Sequence, residues 1–482
     1  MNLSLKELIT AVQGKFAGDL NECLFKGVSI DSRRIKAGEI FFAIKGDRFD
    51  GHAYIVDALD KGASGAVLEK IPEAVQSSHL KEKPLIIVED TITALGDLAS
   101  FWRKKQAKET IAIGGSCGKT TTKEMLANIL SLSKNVLKTE GNLNNHIGLP
   151  LTMLRMRENH DIGVFEVGVS KRGEMRRLGE ILSPDMALLT NIGKAHLADL
   201  KNINVVAREK MELFNSLKKE GTMIINMDDP LIASMAGELG NRRITYGTDK
   251  NADVVLKSYV LKEYDGSDTE PVKGTEFSVS VRGRECKGRL NVLGKPNLLN
   301  ALSAIAAATA LNIDSEQIME GLRHFVPLKG RMQVITLNNK IKIIDDTYNA
   351  NPSSMEHSLK TLSQVKGEGK RLAVLGDMLD LGDEAVRAHR DIGKLVSALE
   401  VDHLFLVGEY GAELAKGAIE GGMDLNRVKV TEKKEDVVSE LMDVIGEKDC
   451  ILVKGSRGMK MEAVVESLKE NLGVSREVGA VA

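Results

Sequence analysis

The pattern that most limits the fold of this chain is the recurrence of short, apolar, β-branched runs, each closed by Gly, Asp or Asn and followed by helical spacing. Between residues 111 and 226 these runs are Ile111-Ala112-Ile113, Val164-Phe165-Glu166-Val167, Ala187-Leu188-Leu189-Thr190 and Met223-Ile224-Ile225-Asn226. Strands separated by helices return to the same end of a sheet, so they run parallel, and nearly continuous apolar strands need helices on both faces. A second series follows near the C-terminus: Lys342-Ile343-Ile344-Asp345-Asp346, Leu372-Ala373-Val374-Leu375-Gly376-Asp377, Leu404-Phe405-Leu406-Val407-Gly408 and Ile451-Leu452-Val453-Lys454-Gly455. The expected class is α/β, with a central P-loop-type doubly wound parallel sheet, a C-terminal Rossmann-like α/β domain and a small N-terminal α/β domain.

With 482 residues the chain exceeds one ordinary core, and roughly three compact units are expected. Boundaries near 89 and 327 divide it into 1–89, 90–327 and 328–482. The alternating, Gly- and Lys-containing stretch from Val254 to Val292 suits antiparallel strands and is read as a side sheet of the middle unit. The first unit carries an Asp31-Ser32-Arg33 turn and a Gly46-Asp47-Arg48-Phe49-Asp50-Gly51-His52 stretch.

Charge excludes more than it assigns. The 66 basic and 68 acidic residues leave a formal charge of -2, so no global field favours nucleic acid or a membrane surface. Cys23, Cys117, Cys286 and Cys450 lack the paired spacing of a zinc or dithiol site and suit a reducing compartment. Ser4 and Glu7 have capping-box spacing ahead of an amphipathic run, where a signal peptide would place basic residues and an apolar core. No apolar run approaches the ~20 residues of a bilayer span, and a cytoplasmic location without membrane insertion is expected.

The strongest chemical motif is Ile111-Ala112-Ile113-Gly114-Gly115-Ser116-Cys117-Gly118-Lys119-Thr120-Thr121, a strand entering a glycine turn that opens a helix through Met125, Leu126, Ile129 and Leu130. Backbone N–H groups in such a turn face phosphates, the helix N-terminus adds positive potential, and Lys119 reaches the terminal phosphates. Thr120 would offer its hydroxyl to magnesium. The spacing is one residue shorter than the common phosphate loop, because position 113 is Ile. A glycine turn that binds nothing is the alternative, which the conjunction of strand, Lys, Thr and helix disfavours.

Glu166 lies near a buried strand end, where a carboxylate is costly unless paired or metal-bound. It reads either as a magnesium ligand or as a side chain turned to solvent. His196 also follows a strand end, where open α/β sheets bind ligands, although a loop histidine is commonly structural. Lys210 sits in Ala207-Arg208-Glu209-Lys210-Met211-Glu212-Leu213-Phe214, whose spacing alone favours a solvated helix face.

With this loop, Glu166 and His196 in order, the chain resembles the Mur ligases, ATP-dependent enzymes that extend the muramyl peptide of peptidoglycan precursors and whose glycine loop is similarly short. The resemblance is to the branch that adds D-alanyl-D-alanine. It is carried by Gly115 to Met125, Gly141 to Thr152, Asp345-Asp346-Thr347-Tyr348-Asn349-Ala350-Asn351-Pro352-Ser353-Ser354-Met355 and Leu452 to Glu462, spread over all three units.

The resemblance implies that Gly115, Ser116, Cys117, Gly118, Lys119, Thr120 and Thr121 hold ATP phosphates, and that Thr120 and Glu166 bind one Mg2+. It implies that Lys210 is carbamylated and binds a second Mg2+ with His196, a carbamate being a hard oxygen ligand of the kind magnesium prefers. Asn297 and Asn300 match a segment near the adenine, and Arg331 and Asp346 match nucleotide contacts from the C-terminal unit. Ser32 and Arg33, with Phe41-Phe42-Ala43 and the 46–52 turn, resemble the UDP-binding part. Asn144, Asn145, Tyr348, Asn349, Lys454 and Arg457 are the remaining substrate-binding candidates. Lys454 and Arg457 could pair with the dipeptide carboxylate, and a solvated strand-end role fits their spacing equally. Two positions depart from the family pattern: Pro296 replaces a His before Asn297, and Cys117 occupies the loop's second small position, where it also reads as a packing residue.

The implied substrates are UDP-N-acetylmuramoyl-tripeptide and D-alanyl-D-alanine, and the enzyme is expected to act as a monomer. Nucleotide groups on both sides of residue 327 imply two half-sites that close. The nearest rivals are the third-residue-adding Mur ligase and folylpolyglutamate synthetase, which carry other residues at 346–352. From another class, a nucleotide switch is opposed in its GTP form by the lack of an Asn-Lys-x-Asp run after a strand.

Overall fold

The computed structural model describes residues 1–17, 23–46, 49–76, 83–193, 197–262, 274–365 and 368–474. Helix α1 (Leu5–Val12) opens on the expected capping box: the Ser4 side chain accepts from the Glu7 amide while the Glu7 carboxylate accepts from the Ser4 amide. A five-stranded sheet follows, from β1 (Lys15–Ala17), β2 (Gly27–Ser29), β3 (Glu39–Phe42), β4 (Gly65–Leu68) and β5 (Leu85–Ile87), in the order β1-β5-β4-β3-β2. Only β1 pairs antiparallel.

Helix α2 (Thr91–Gln106) starts where the Asp90 side chain accepts the Thr93 amide. It packs on α1 on one side and on α4 (Gly148–Met153) and α5 (Glu174–Leu182) on the other. Trp102, the only tryptophan of the chain, is buried in α2 and donates its indole N–H to the carbonyl of Met156 at 3.0 Å. One apolar cluster runs without a break from Leu8 and Phe25 through Leu95 and Trp102 to Phe165 and Leu189, so the first unit and one face of the central sheet share a core.

The central sheet has nine strands: β6 (Glu109–Gly114), β7 (Val136–Lys138), β8 (Ile162–Glu166), β9 (Met186–Leu189), β10 (Thr222–Asn226), β11 (Arg242–Gly247), β12 (Val254–Lys262), β13 (Gly274–Val281) and β14 (Arg284–Leu290). Their order is β14-β13-β12-β11-β10-β9-β6-β8-β7. After β6 the chain builds β7 and β8 on one side and then crosses to β9, which makes the carboxyl ends of β6, β8 and β9 the switch point where such sheets bind ligands. The stretch read as a side sheet is a correction. β12 pairs in parallel with β11 at Tyr246↔Val254, so the antiparallel strands extend the main sheet. Val254, Leu256, Phe277 and Val279 bury in the same cluster as Leu298, Leu302 and Ile305 of α7 (Lys295–Ala310), and that helix fixes them in the sheet plane.

Helices α3 (Lys119–Ser131) and α6 (Ile203–Asn215) complete the parts of this unit used below. The C-terminal unit has six strands, β15 (Gln333–Thr336), β16 (Lys342–Asp346), β17 (Arg371–Gly376), β18 (His403–Val407), β19 (Val428–Thr431) and β20 (Cys450–Lys454), in the order β15-β16-β20-β17-β18-β19. All but β15 run parallel. Helix α8 (Pro352–Gln364) follows β16 and begins with a second capping box at Asn351 and Ser354. No helix among the described residues is long and apolar enough to cross a membrane.

Candidate active site

The turn between β6 and α3 has a backbone that only glycine accommodates. Gly115 and Gly118 have φ of +131° and +82°, and a Cβ on them would lie 2.0 Å from Thr190 Oγ1 and 2.1 Å from Asn300 Oδ1. The loop is tied to the end of β9. Thr190 Oγ1 donates to the Cys117 carbonyl at 2.5 Å, Asn191 Nδ2 donates to the same oxygen at 3.1 Å, and the Cys117 amide donates to Asn191 Oδ1 at 3.0 Å. Ser116 Oγ exchanges hydrogen bonds with the backbone of Gly193. Thr190 and Asn191 thus shape the loop, although sequence reasoning did not single them out. Their position directly after the apolar run Ala187-Leu188-Leu189 of β9, at a strand end beside the loop strand, was the available signal.

Lys119 is the first residue of α3, and its ammonium donates to the Gly115 carbonyl at 3.0 Å. Lys210 Nζ, arriving from α6, donates to that same oxygen at 3.1 Å. Lys210 is only 2% exposed, which overturns the solvated-face reading of its helix. Burial, reinforced by the charge of Lys119, lowers its pKa to about 7. Its neighbour Glu209 is buried as well, its carboxylate accepting the Gly173 and Met175 amides at the start of α5, where a negative charge suits the helix terminus.

Glu166 ends β8 opposite Ile113 of β6 and is 3% exposed, so it does not point to solvent. Asn144 Nδ2 donates to Oε1 at 2.8 Å, whereas the buried Oε2 has no hydrogen-bond partner among the described residues. A buried carboxylate oxygen left bare costs desolvation energy, which a cation removes. The Glu166 backbone is fixed in turn: its amide donates to Thr139 Oγ1, and the fully buried Lys123 of α3 donates to the Thr139 carbonyl at 2.6 Å. Lys123 is a further supporting residue that helix spacing alone does not reveal. Asn145 Oδ1 accepts the Ile147 and Gly148 amides and caps α4.

From the C-terminal unit, Arg331 Nη2 donates to Thr120 Oγ1 at 3.2 Å, its guanidinium lies 3.8 Å from the Tyr348 ring centre, and its buried Nε has no partner among the described residues. Asn351 touches the Cys117 thiol at 3.4 Å, so the thiol faces the other unit and is not solely a packing residue. Asp346 and Lys454 are register partners on β16 and β20 and form a buried ion pair, with Ser358 donating to the same Asp346 oxygen at 2.6 Å and Lys454 also donating to the Asn349 carbonyl at 3.0 Å. A solvated strand-end role for Lys454 is therefore excluded. Arg457 is exposed, pairs with Glu462 at 2.9 Å, and donates its backbone N–H to Asn349 Oδ1.

These groups enclose a cavity of about 560 Å³, lined by residues 116–121, Asn144, Asn145, Glu166, Asn297, Asn300, Arg331, Asp346, Tyr348, Asn349 and Lys454 among others. Asn297 is held by a bond from its Nδ2 to the Leu293 carbonyl at 2.8 Å. Lys210 lies behind the loop, Arg457 outside the lining, and Ser32 and Arg33 in the first unit, where Arg33 closes the Asp31 turn through both its amide and its guanidinium. His196, and Asp47 and Arg48 of the 46–52 turn, lie outside the described residues. No cluster of three or more His, Cys, Asp or Glu side chains forms a ready metal cage among the described residues. The cavity instead offers a phosphate-shaped loop, one bare carboxylate oxygen and lysine charge, the set used where a cation is shared with substrate phosphates.

Family models match along most of the chain: "Mur ligase family, catalytic domain" over residues 24–103, "Mur ligase middle domain" over 113–308 and "Mur ligase, glutamate ligase domain" over 330–457. A UDP-N-acetylmuramoyl-tripeptide–D-alanyl-D-alanine ligase of Bacillus subtilis is 35% identical over 97% of this chain and 98% of its own. Among solved structures, MurF from Acinetobacter baumannii superposes with a TM-score of 0.88 at 30% identity, covering 98% of this chain and 99% of that one. MurF ligase from Thermotoga maritima, solved in complex with ADP, superposes with a TM-score of 0.80 at 27% identity, covering 92% and 97%. Taken with the loop, the bare carboxylate and the C-terminal unit's arginine at the loop threonine, these matches along nearly the whole chain establish that it belongs to the Mur ligase family, in the branch whose members are named as D-alanyl-D-alanine-adding ligases.

Proposed function

We propose that the chain is an ATP-dependent ligase that joins D-alanyl-D-alanine to UDP-N-acetylmuramoyl-tripeptide through an acyl phosphate, giving the pentapeptide precursor of peptidoglycan in the cytoplasm. The observation that carries this reading is the bare Glu166 Oε2 in the same cavity as the Lys119 loop, roofed by Arg331 from the other unit. The proposed division of labour assigns residues 1–89 to the UDP end, 90–327 to ATP and ligation, and 328–482 to the dipeptide and part of ATP.

The donor set fits magnesium. Thr120 and Glu166 would hold one ion, and carbamylated Lys210 with His196 a second. When bound, the ions supply neutralisation of the anionic oxygens crowded together as a carboxylate meets the terminal phosphate. The protein's own groups do the rest. The loop amides and Lys119 hold the phosphates, and Asn144 orients the Glu166 carboxylate. The tripeptide carboxylate oxygen bonds to the γ-phosphorus as the bond to ADP breaks. The dipeptide nitrogen then attacks the acyl carbon, the C–N bond forms, phosphate leaves and the amine gives up a proton. Arg331 and Tyr348 close the cavity over the loop, which shields the acyl phosphate from water. Phosphate release is expected only when ATP, UDP-tripeptide and D-alanyl-D-alanine are all present. Release that ignores the dipeptide would favour a nucleotide switch.

We also propose that Arg457, exposed beside Tyr348 with its guanidinium 5.8 Å from the ring centre, receives the dipeptide carboxylate by exchanging its Glu462 partner. Arg457→Ala is expected to raise the KM for D-alanyl-D-alanine about tenfold, the scale of one charge-assisted hydrogen bond, with the KM for ATP little changed. An unaltered dipeptide KM removes Arg457 from the site.

A further inference from the structure

One wall of the ATP cavity carries two side chains with no role assigned so far, His357 and Thr361. The end at the glycine loop is marked by Asn300, whose side chain packs against Gly118. From there α7 runs back to Gly294, where a Cβ would lie 2.5 Å from Thr361 Oγ1 of α8. Asn300 lies six positions after Gly294, about 9 Å at the helical rise, so the first turns of α7 span the distance from the loop to the facing unit. At that far end Thr361 and His357 stand one turn apart on the same face of α8, with Thr361 Oγ1 donating to the His357 carbonyl at 2.9 Å. Both side chains line the cavity, together with Pro296, Asn297 and Ser358.

Neither ring nitrogen of His357 takes a hydrogen bond from the described residues, although the side chain is half-buried. Two groups on its own helix face it, Glu356 and Lys360, and two from the strands beneath it, Lys454 and Asp346. Burial, opposed by the two carboxylates and reinforced by the two lysines, holds the pKa below its ordinary value, so the ring is neutral at physiological pH, with one donor and one acceptor. Such a ring suits neutral polar groups better than a phosphate, a carboxylate or an ammonium. We infer that His357, with Thr361, contacts the nucleoside of ATP at the end of the cavity opposite the glycine loop and is a determinant of nucleotide affinity supplied by the C-terminal unit.

The inference rests on the proposed ATP-dependent reading, and calorimetric titration of the full chain separates the two. The probes are ATP and inorganic tripolyphosphate, which carries the phosphates without a nucleoside. In His357→Ala, the Kd for ATP is expected to rise about tenfold, the scale of one or two lost hydrogen bonds, while the Kd for tripolyphosphate stays within twofold. An ATP affinity within twofold of the parent chain would overturn the inference, as would tripolyphosphate weakening in step with ATP. In either case, Lys119-dependent binding of tripolyphosphate by the parent chain would leave the ATP-site reading standing. A parent chain that binds neither probe would bring down both.

Discussion

Lys119→Ala is expected to lower ligation by at least 10²- to 10³-fold while leaving the fold unchanged. Removing one group that stabilises developing charge in a dry site costs on that scale, and here the group is a full cation on the phosphoryl being transferred. The structure explains why stability should survive. Among the described residues Lys119 bonds only to the Gly115 carbonyl, and Lys210 donates to the same oxygen, so the variant leaves no orphaned acceptor there. Phosphate release reads the loss, and circular dichroism with a thermal melt reads the fold. Turnover above a tenth of the parent value in a folded variant would remove Lys119 from the reaction.

The second large effect is expected at Lys210. A lysine amine must be neutral to add carbon dioxide, and burial beside Lys119 brings this one to a pKa of about 7. Turnover should therefore fall in buffers stripped of carbon dioxide and recover with bicarbonate. Lys210→Ala should be low in both, by two orders of magnitude or more if the carbamate helps hold metal at the transferring phosphate. Carbon-13 NMR with labelled bicarbonate should show a carbamate resonance that the variant lacks. A parent chain indifferent to carbon dioxide with no such resonance would refute carbamylation. The lowered pKa also sets a stability trend. Between pH 7 and about 10.4 the unfolded lysine holds a proton that the folded one has released, so this residue makes stability rise with pH across that window. Denaturation midpoints followed from pH 7 to 10 should rise more steeply in the parent chain than in Lys210→Met.

Much of this arrangement was legible in the sequence because strands and phosphate loops are local. Ile111–Ile113 and Ile451–Val453 announce buried parallel strands by composition, and the loop glycines, Lys119 and Thr120 follow one another directly. The side-sheet reading of 254–292 failed for a different reason. Whether an antiparallel hairpin starts its own sheet or joins another depends on what packs on its face, and α7 lies later in the chain. Lys210 was obscured because a helix carrying Arg208, Glu209, Lys210 and Glu212 resembles a solvated face. Only the fold reveals that Glu209 caps α5 and that Lys210 reaches the loop. Lys123, Thr139 and Asn191 act through backbone groups distant in sequence, and no spacing rule encodes such partners.

The placement of the only tryptophan gives the molecule a built-in optical reporter, and it reports on the wrong place for ligand work. Trp102 is sealed between α2 and the chain after α4, its indole N–H engaged by Met156, and it belongs to the core shared by the first unit and the central sheet, not to the ATP cavity. Its emission should be blue-shifted in the folded chain, and nucleotide should scarcely change it. Separation of the first unit from the central sheet would move it to the red. A tryptophan introduced near the cleft would thus be read against a quiet native background, while the native signal serves as an internal gauge of whether that shared core is intact.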